Sequence, residues 1–567
     1  MYGYAITVNG KVSAKLGDIS YKNIICSNRM IEKFEQDKVF VETDELIIIL
    51  DGVILNRKDL ISESKLNKIN SSWINTLVNL YSSKGETFFS VLRGSFSGAI
   101  YDKPQKKWII FGDQLGSKFT YYSKVGDFFC VSEEMGYIYE ILKANSVKYN
   151  FNEVGAWMLL TYGYMLDDVT LCKEVHKINP GCYITYYQGV IEEHRYYLLD
   201  NTSNSSIKEG DAIDIIDKYF RQAIKREFDK DIEYDYKHVV ALSGGLDCRM
   251  TSFVAHSCGY EQQLNITFSQ TDYWDQTLPM RMSSDLCHEW LFKSLDNGLW
   301  LYDVDIITKT TGGNVLYYGT AHANSLHKYI NYNGLGLVHS GQLGDVIIGS
   351  WITKEEQSMP FKHGYKAYSQ KYLDNVKEIP LLLNLNKELG LFYYRGLNGT
   401  NNGIQNVYNY TETLSPFLDL DFIENTLAIP IELRQHHFIY KKWILDRYPK
   451  AAEYEWETTG RRINTPLLRL GKKEIPLANI PNSIFTHIRM LLGMRDNPNS
   501  NKSMNPIAYY LAHNNELSTY LNSYFTYTDA IKDNDLKKAI NEIGVSGTAM
   551  EKIQAVSLLS SIKLFFI

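Results

Sequence analysis

The residues of this 567-residue chain whose types and spacing could do chemistry begin at Val239 to Arg249, Val-Val-Ala-Leu-Ser-Gly-Gly-Leu-Asp-Cys-Arg. The apolar run suits a buried parallel strand. Ser243, Gly244 and Gly245 follow at once, where a backbone turns tightly and comes close to something. Arg249 to Ala255 reads as the start of a helix. A strand, a small-residue turn and a helix N-terminus aim several amide N–H groups at one spot, and the helix dipole makes that spot favour an anion such as phosphate. Asp247 would repel phosphate unless a cation lay between them, so the pattern implies magnesium shared with a nucleotide. The structural alternative is an ordinary strand-to-helix turn. A second apolar run, Gly336-Leu337-Val338-His339, empties into Ser340-Gly341-Gln342-Leu343-Gly344-Asp345. Two such strand ends side by side would set Asp247 and Asp345 across from each other as a two-carboxylate holder for magnesium.

Around these residues, Asp211 to Phe228 has helical periodicity, with Ile213, Ile216, Tyr219, Phe220, Ala223 and Ile224 on one side. Leu264 to Phe268 reads as a second short strand after a helix and a turn at Gly259. Strand, helix and strand at this spacing form a parallel unit with a right-handed crossover, which puts a nucleotide at the carboxyl ends of the strands. Residues 1–200 are β-rich, with strand-like runs at Tyr4–Val8, Leu46–Leu50, Ser97–Tyr101, Trp108–Phe111, Asp127–Ser132 and Cys182–Tyr187. Helical periodicity at Ser71–Tyr81 and Glu134–Lys143 predicts packed sheets flanked by helices. Asp200 to Gly210 is polar and turn-rich, the expected linker.

The length predicts two or three domains. A hydrophobic fraction of 44% and a charged fraction of 22% are those of a globular protein, and a net charge of −6 argues against nucleic acid. No run reaches the roughly 18 apolar residues of a membrane span, and the start lacks a signal-peptide pattern, so the cytoplasm is the expected compartment. Seven cysteines without paired spacing imply neither a disulfide framework nor zinc, and the 42 scattered tyrosines read as packing. The apolar finish, Ile553 to Ile567, is expected to dock on the body.

The Ser-Gly-Gly-Leu-Asp turn resembles the pyrophosphate-binding loop of the asparagine synthetase superfamily. Ser340 to Asp345 is similar to that family's Ser-Gly-Glu-Gly-x-Asp-Glu motif, and Glu412 to Asp419 to its Glu-x-x-x-Pro-Phe-Leu-Asp stretch. In the first half, Leu50–Arg57, Leu92–Asp102, Gly112–Gly116 and Thr170–Gly181 resemble the glutaminase half of the same enzymes. The resemblance covers about 1–465. It implies an α/β chain: an N-terminal nucleophile-type layered β-sheet domain over 1–200, a parallel-sheet ATP-pyrophosphatase domain over 201–465, and a helical extension over 466–567. It further implies ATP and magnesium, activation of a carboxylate as an acyl-adenylate, release of pyrophosphate and transfer to an amine. Leu242, Ser243, Gly244, Gly245, Asp247 and Cys248, with Ser340 and Gly341, would hold the nucleotide. Thr267, within Ile266 to Ser269, would meet the adenine, and Asp247 and Asp345 the metal. Arg461 and Arg462 would supply counter-charge where the family has a lysine, whose register position is Thr458. A solvated basic pair is the alternative. Gln342 stands where the family has a Glu near the activated carboxylate, able to hydrogen-bond but not to take a proton. Glu412 would position substrate or pair with a nearby base.

Other departures concern glutamine. The family's nucleophilic cysteine after the initiator Met is Tyr2 here, and a phenol cannot replace a thiolate. Asp51 and Val53 stand in place of the Asn and Glu that hold glutamine and the oxyanion. The implied activity is therefore an amide-forming ligase without glutamine hydrolysis. Its partners would be a small-molecule or peptide carboxylate and an amine, and a homodimer stays open. Two further readings remain: a peptide or β-lactam ring-closing synthetase, and a nucleotide-binding pseudoenzyme that serves as a scaffold.

Overall fold

The computed structural model of the chain describes residues 2–12, 18–66, 72–349, 351–470, 473–476, 500 and 502–567. Met1, Ser71 and part of the expected C-terminal extension lie outside the described residues. Twelve strands, β1 (Tyr4–Val8), β2 (Ile19–Tyr21), β3 (Ile24–Asn28), β4 (Val39–Glu42), β5 (Leu46–Ile54), β6 (Gly94–Asp102), β7 (Lys107–Gly112), β8 (Tyr121–Val125), β9 (Phe128–Ser132), β10 (Val175–Lys177), β11 (Cys182–Tyr187) and β12 (Val190–Arg195), form two antiparallel sheets. Their orders are β10-β8-β9-β1-β3-β2 and β12-β11-β7-β6-β5-β4.

The period of two in β5, β6 and β7 dictates the layering. Ile47, Ile49, Ala99 and Ile110 face the first sheet and pack with Tyr4, Ile6 and Phe129. Their neighbours Ile48, Leu50, Ile100 and Ile109 face the other way and pack with Trp73 and Leu77 of helix Trp73–Lys84. On the outer face of the first sheet, Ala5, Tyr121 and Cys130 meet Ile138, Ile141 and Leu142 of helix Met135–Ala144. The result is four layers: helix, sheet, sheet, helix.

The second half carries β13 (Lys237–Ala241), β14 (Gln263–Ser269), β15 (Glu289–Ser294), β16 (Leu335–His339) and β17 (Thr413–Leu414) in the order β15-β14-β13-β16-β17. Every pairing in this sheet is parallel. Here too alternate residues part company. Val239, Ile266 and Val338 pack with Leu326 of helix Tyr317–His327. Val240 packs with Phe220 and Phe228 of helix Glu209–Glu233 and Met250 of helix Leu246–Ser257. Helices therefore cover both faces and leave only the strand ends open, which is where a ligand meets such a sheet.

The two halves are joined by charge as well as by packing. Asp37 receives Arg57 and Lys230 at 2.9 Å each, and Lys33 donates to the Leu335 carbonyl at 2.7 Å. The C-terminal helix Ala549–Ser561 buries Ile553, Val556 and Leu559 against the second half. Phe565 then stacks on Tyr139 of the first half with ring centres 4.0 Å apart, so the apolar finish docks on the body.

Candidate functional site

Strand β13 ends at Ala241, the turn Ser243-Gly244-Gly245 follows, and helix Leu246–Ser257 begins within it. The neighbouring strand β16 ends at His339 and opens into Ser340 to Asp345. The two turns touch. A Cβ on Gly341 would lie 2.3 Å from the Cys248 nitrogen, and one on Gly344 would lie 2.6 Å from the Asp247 carboxyl carbon, so only glycine lets them approach this closely. Leu343 between them takes a left-handed φ of 64°, turning the chain so that the Asp345 N–H donates to Asp247 Oδ2 at 3.0 Å. Tyr440 donates its hydroxyl proton to Asp247 Oδ1 at 2.9 Å, and the Trp351 indole N–H reaches Asp345 Oδ2 at 3.2 Å. Removal from bulk water, and then Asp345 beside it, push the Asp247 carboxyl up to about 8.

These carboxylates face a cavity of about 690 Å³, the size of a small-molecule site. Ser243, Gly245, Cys248, Ser340, Gly341 and Gln342 line it with Asp247 and Asp345. The donor set fits magnesium: hard oxygens from two acidic groups whose mutual repulsion a divalent cation relieves. Each Asp247 oxygen spends one lone pair on an internal donor and keeps capacity for a second partner. The Gln342 Oε1 atom is buried without a hydrogen-bond partner, an acceptor held ready for a donor.

Other sequence-derived candidates are placed differently. Thr267 is absent from the cavity lining, and its hydroxyl donates to the Leu242 carbonyl at 2.9 Å. The Gly244 N–H donates to Asp275 Oδ1 at 2.7 Å, so in this state one turn amide already has an anionic partner. Thr458 and Trp456 line the cavity, whereas Arg461 and Arg462 are exposed on the same loop and outside the lining. Glu412 is fully buried between the two halves, with Lys38 at 2.9 Å and Lys118 at 3.2 Å.

Sequence reasoning missed Asp275, Trp351 and Tyr440, because no local pattern links them to the turns. Arg249 also has a clear place. Its guanidinium is wholly buried and donates to the carbonyls of Gly244, Ala451, Tyr454 and Glu455, tying the turn to the segment that brings Trp456 and Thr458 to the cavity. Burial lowers its pKa to about 10.

The residue-2 region is built on another plan. Tyr2 is buried, its backbone N–H donates to Glu134 Oε2 at 3.3 Å, and its ring lies 5.8 Å from that of Tyr408. Lys118 Nζ sits 5.0 Å from the centre of that Tyr408 ring and pairs at 2.5 Å with Asp51 of β5, which Lys38 also meets at 3.1 Å. Burial alone would raise the Asp51 carboxyl, but Lys118 and Lys38 outweigh it and hold the group well below the usual range. Glu133, hydrogen-bonded to Ser97, is pushed well up by burial and by Asp51.

Comparison with known proteins finds a similarity within the first half. Residues 33–197 match the model of the glutamine amidotransferase domain family. A Methanocaldococcus jannaschii protein described as a putative asparagine synthetase (glutamine-hydrolyzing) is 21% identical over 451 residues, 76% of this chain and 74% of that protein. Over about three quarters of its length the chain is thus similar, at low identity, to an asparagine synthetase-like protein. Amidase chyE of Penicillium rubens is 25% identical over 194 residues, 32% of this chain and 26% of the amidase. Among solved structures, the allosteric regulatory enzyme of purine biosynthesis aligns over 51% of this chain and 74% of its own length, at 11% identity and a TM-score of 0.25. The glutamine phosphoribosylpyrophosphate amidotransferase of B. subtilis aligns over 75% and 86%, at 10% identity and a TM-score of 0.24. Among the described residues, no helix is long and apolar enough to cross a membrane.

Proposed function

We propose that this protein is an ATP-dependent amide-forming ligase of the asparagine synthetase kind. It would activate a carboxylate as an acyl-adenylate, release pyrophosphate and pass the acyl group to an amine without hydrolysing glutamine. The observation that carries the reading is the pair Asp247 and Asp345, held at the carboxyl ends of adjacent parallel strands on the floor of a large cavity. Asp247 and Asp345 would hold magnesium, which when bound neutralises phosphate charge and polarises the phosphorus under attack. Ser243, Gly245 and Cys248, with Ser340 and Gly341, would position the phosphates and ribose. The acceptor carboxylate oxygen would attack the α-phosphorus and pyrophosphate would leave. Gln342 can hydrogen-bond the acyl group but cannot take the amine's proton, so that proton would pass to water or to a group on the substrate. Arg461 and Arg462 reach the leaving pyrophosphate only if their loop moves inward on binding.

The lack of glutamine hydrolysis is supported by Tyr2 at the nucleophile position and by the ion pairs of Lys38 and Lys118 with Asp51 and Glu412 beside it. A second reading, a nucleotide-binding scaffold, is favoured by the Gly244 N–H being spent on Asp275 and by the lack of any Lys or Arg on the lining segment Trp456–Thr458. A ring-closing synthetase is a special case of the first reading, with acid and amine on one substrate.

The test is pyrophosphate release from ATP and magnesium across a panel of carboxylates, with wild type beside Asp247→Ala and Asp345→Ala. Release that falls at least about a hundredfold in each variant is the expected result. ATP binding without release for any acid supports the scaffold.

A further inference from the structure

The acyl-adenylating reading leaves the amine's proton without a final acceptor in the protein. Behind the wall that carries Gln342 lies a second, smaller chamber of about 40 Å³, with room for water and little else. Ser340, Gln342, Ile404 and Thr413 line both spaces, so the chamber backs directly on the large cavity. Three carboxylates line it, and two are spent. Asp113 accepts the N–H groups of Phe96, Leu115 and Ser117. Asp419 takes Arg226 at 2.8 Å and caps helix Leu420–Leu427 through the Phe422 N–H. Glu227, on helix Glu209–Glu233, is different: among the described residues its one hydrogen-bond partner is His339, whose Nδ1 lies 3.2 Å from Oε2. The other oxygen is left for the chamber.

Two amides on the chamber wall point to water as what fills it. Asn401 is 1% exposed, yet neither its side-chain oxygen nor its nitrogen has a hydrogen-bond partner among the described residues. Gln342 Oε1 is unpartnered as well. Buried amides are almost always satisfied by protein or by ordered water, and a polar chamber of this size suits the second. Behind Glu227 the hydrogen bonds continue. His339 Nε2 lies 2.8 Å from Asp231 Oδ2, which His238 Nδ1 also meets at 2.8 Å, and Asp231 Oδ1 accepts the Leu337 N–H at 2.8 Å. A network closed at its far end fixes the imidazole, and the imidazole aims Glu227.

We propose that Glu227 receives the proton released when the amine is acylated, through water held in the chamber by Asn401 and Gln342, with His339 and Asp231 as positioning residues. The proposal rests on the acyl-adenylating reading. In the step, the amine nitrogen bonds to the acyl carbon, the bond from that carbon to the adenylate oxygen breaks, and AMP leaves with the electron pair. The nitrogen's proton passes to a chamber water as that water gives one of its own to Glu227. The proton returns to solvent when products leave. Burial pushes Glu227 up to about 7, close to the working pH at which a proton acceptor serves best. The charged groups that act on it are His339 from β16, Asp231 from its own helix and Asp419 at the start of helix Leu420–Leu427. Asp113 and Arg93 share the chamber from the first half.

The test separates the two half-reactions in the full chain. With ATP and magnesium, L-aspartate, glutarate and benzoate are the probe acids, and first-turnover pyrophosphate release reports activation. Ammonia or hydroxylamine is the amine. Hydroxylamine is the weaker base, so its acylated nitrogen sheds a proton without help. Glu227→Gln keeps the size and an acceptor for His339 but cannot take a proton. It should lower amide formation from ammonia at least about a hundredfold relative to pyrophosphate release, and hydroxamate formation at most about threefold. The rise of wild-type amide formation through about pH 7 should vanish with it. Glu227→Asp should restore part of the rate, and Asn401→Leu, similar in size but unable to hold water, should lower it about tenfold. An equal fall for both amines, or an unchanged pH profile, overturns the proposal. If no probe acid releases pyrophosphate from wild type, the fault lies with the adenylation reading, and infrared spectra decide Glu227 by themselves. A protonated-carboxyl band that titrates near pH 7 in wild type and is missing from Glu227→Gln upholds the proton acceptor, and a wild type without that band overturns it.

Discussion

Two places in this molecule take acidic groups out of bulk water, and they are neutralised in opposite ways. Next to Tyr2, Asp51 and Glu412 share Lys38 and Lys118, all four side chains nearly inaccessible. At the ends of β13 and β16, Asp247 meets another carboxylate, and its proton is held to about pH 8. The first arrangement carries its own counter-charge and needs nothing from outside. The second is complete only when a cation or a proton arrives, which is how a binding site differs from a structural ion pair. The same molecule thus holds one site closed over its charges and one site open.

The contrast predicts unequal costs. Lys118→Met leaves Asp51 and Glu412 with Lys38 alone in a buried place, an expected loss of about 3–5 kcal/mol in urea unfolding. Asp247→Asn removes one of two repelling acids and should leave the stability of the metal-free protein within about 1 kcal/mol of wild type. Equal losses in the two variants would break the comparison.

A third acidic place sharpens it. His339, the last residue of β16, lies wholly buried with its Nε2 2.8 Å from Asp231 and its Nδ1 3.2 Å from Glu227, while His238 reaches the same Asp231 oxygen at 2.8 Å. Asp231, His238 and His339 bring three ligand atoms together that could hold a metal ion. Their separations are those of hydrogen bonds, so protons already do the neutralising. Burial opposes a charge on the His339 ring, but Asp231 and Glu227 outweigh it and push the ring up to about 9. A folded-state pKa above the unfolded value of roughly 6.5 gives stability that is complete below pH 6.5 and lost as pH rises through about 9, on the order of 2–3 kcal/mol. Glu227, raised by burial to about 7, adds a loss of the same sign at lower pH. Urea unfolding at pH 6 and pH 9 should show the fall in wild type and a flatter profile in His339→Gln, with no effect of a chelator on either. Identical profiles would remove His339 as the cause.

How much of this could be read from the chain depended on whether the signal was local. Tyr4–Val8 and Cys182–Tyr187 form strands over the residues their apolar runs indicate, because a strand buried on both faces announces itself. The edge strand β12, Val-Ile-Glu-Glu-His-Arg, is mostly solvated and reads as polar loop. At the open site, Asp247 and Asp345 stood out because each follows a strand end within a few residues. Tyr440 approaches Asp247 from 193 positions away, and Arg395 reaches the cavity through a tyrosine cluster that composition reads as packing. Arg249 reads in the sequence only as the start of a helix, and the four carbonyls that occupy its guanidinium come from the turn before it and from a segment some 200 residues away. Glu412 lies in a recognisable stretch, but its lysine partners come from the other half of the chain.

The smallest expected effect is the most informative about the closed site. Tyr2→Cys restores the nucleophile type, and if that residue alone separated this domain from a glutaminase, ammonia release from glutamine should follow. The surroundings argue otherwise. A thiolate at position 2 would form next to Glu134 and within the field of Glu133, and acids nearby raise a thiol's pKa. Asp51, which stands in the place of a neutral amide, is locked to two lysines and cannot turn to bind a substrate amide. The expected outcome is ammonia release indistinguishable from wild type, with pyrophosphate release unchanged. Release about tenfold above background would mean that Lys38 and Lys118 leave room for glutamine, and the closed site would then be one substitution from open.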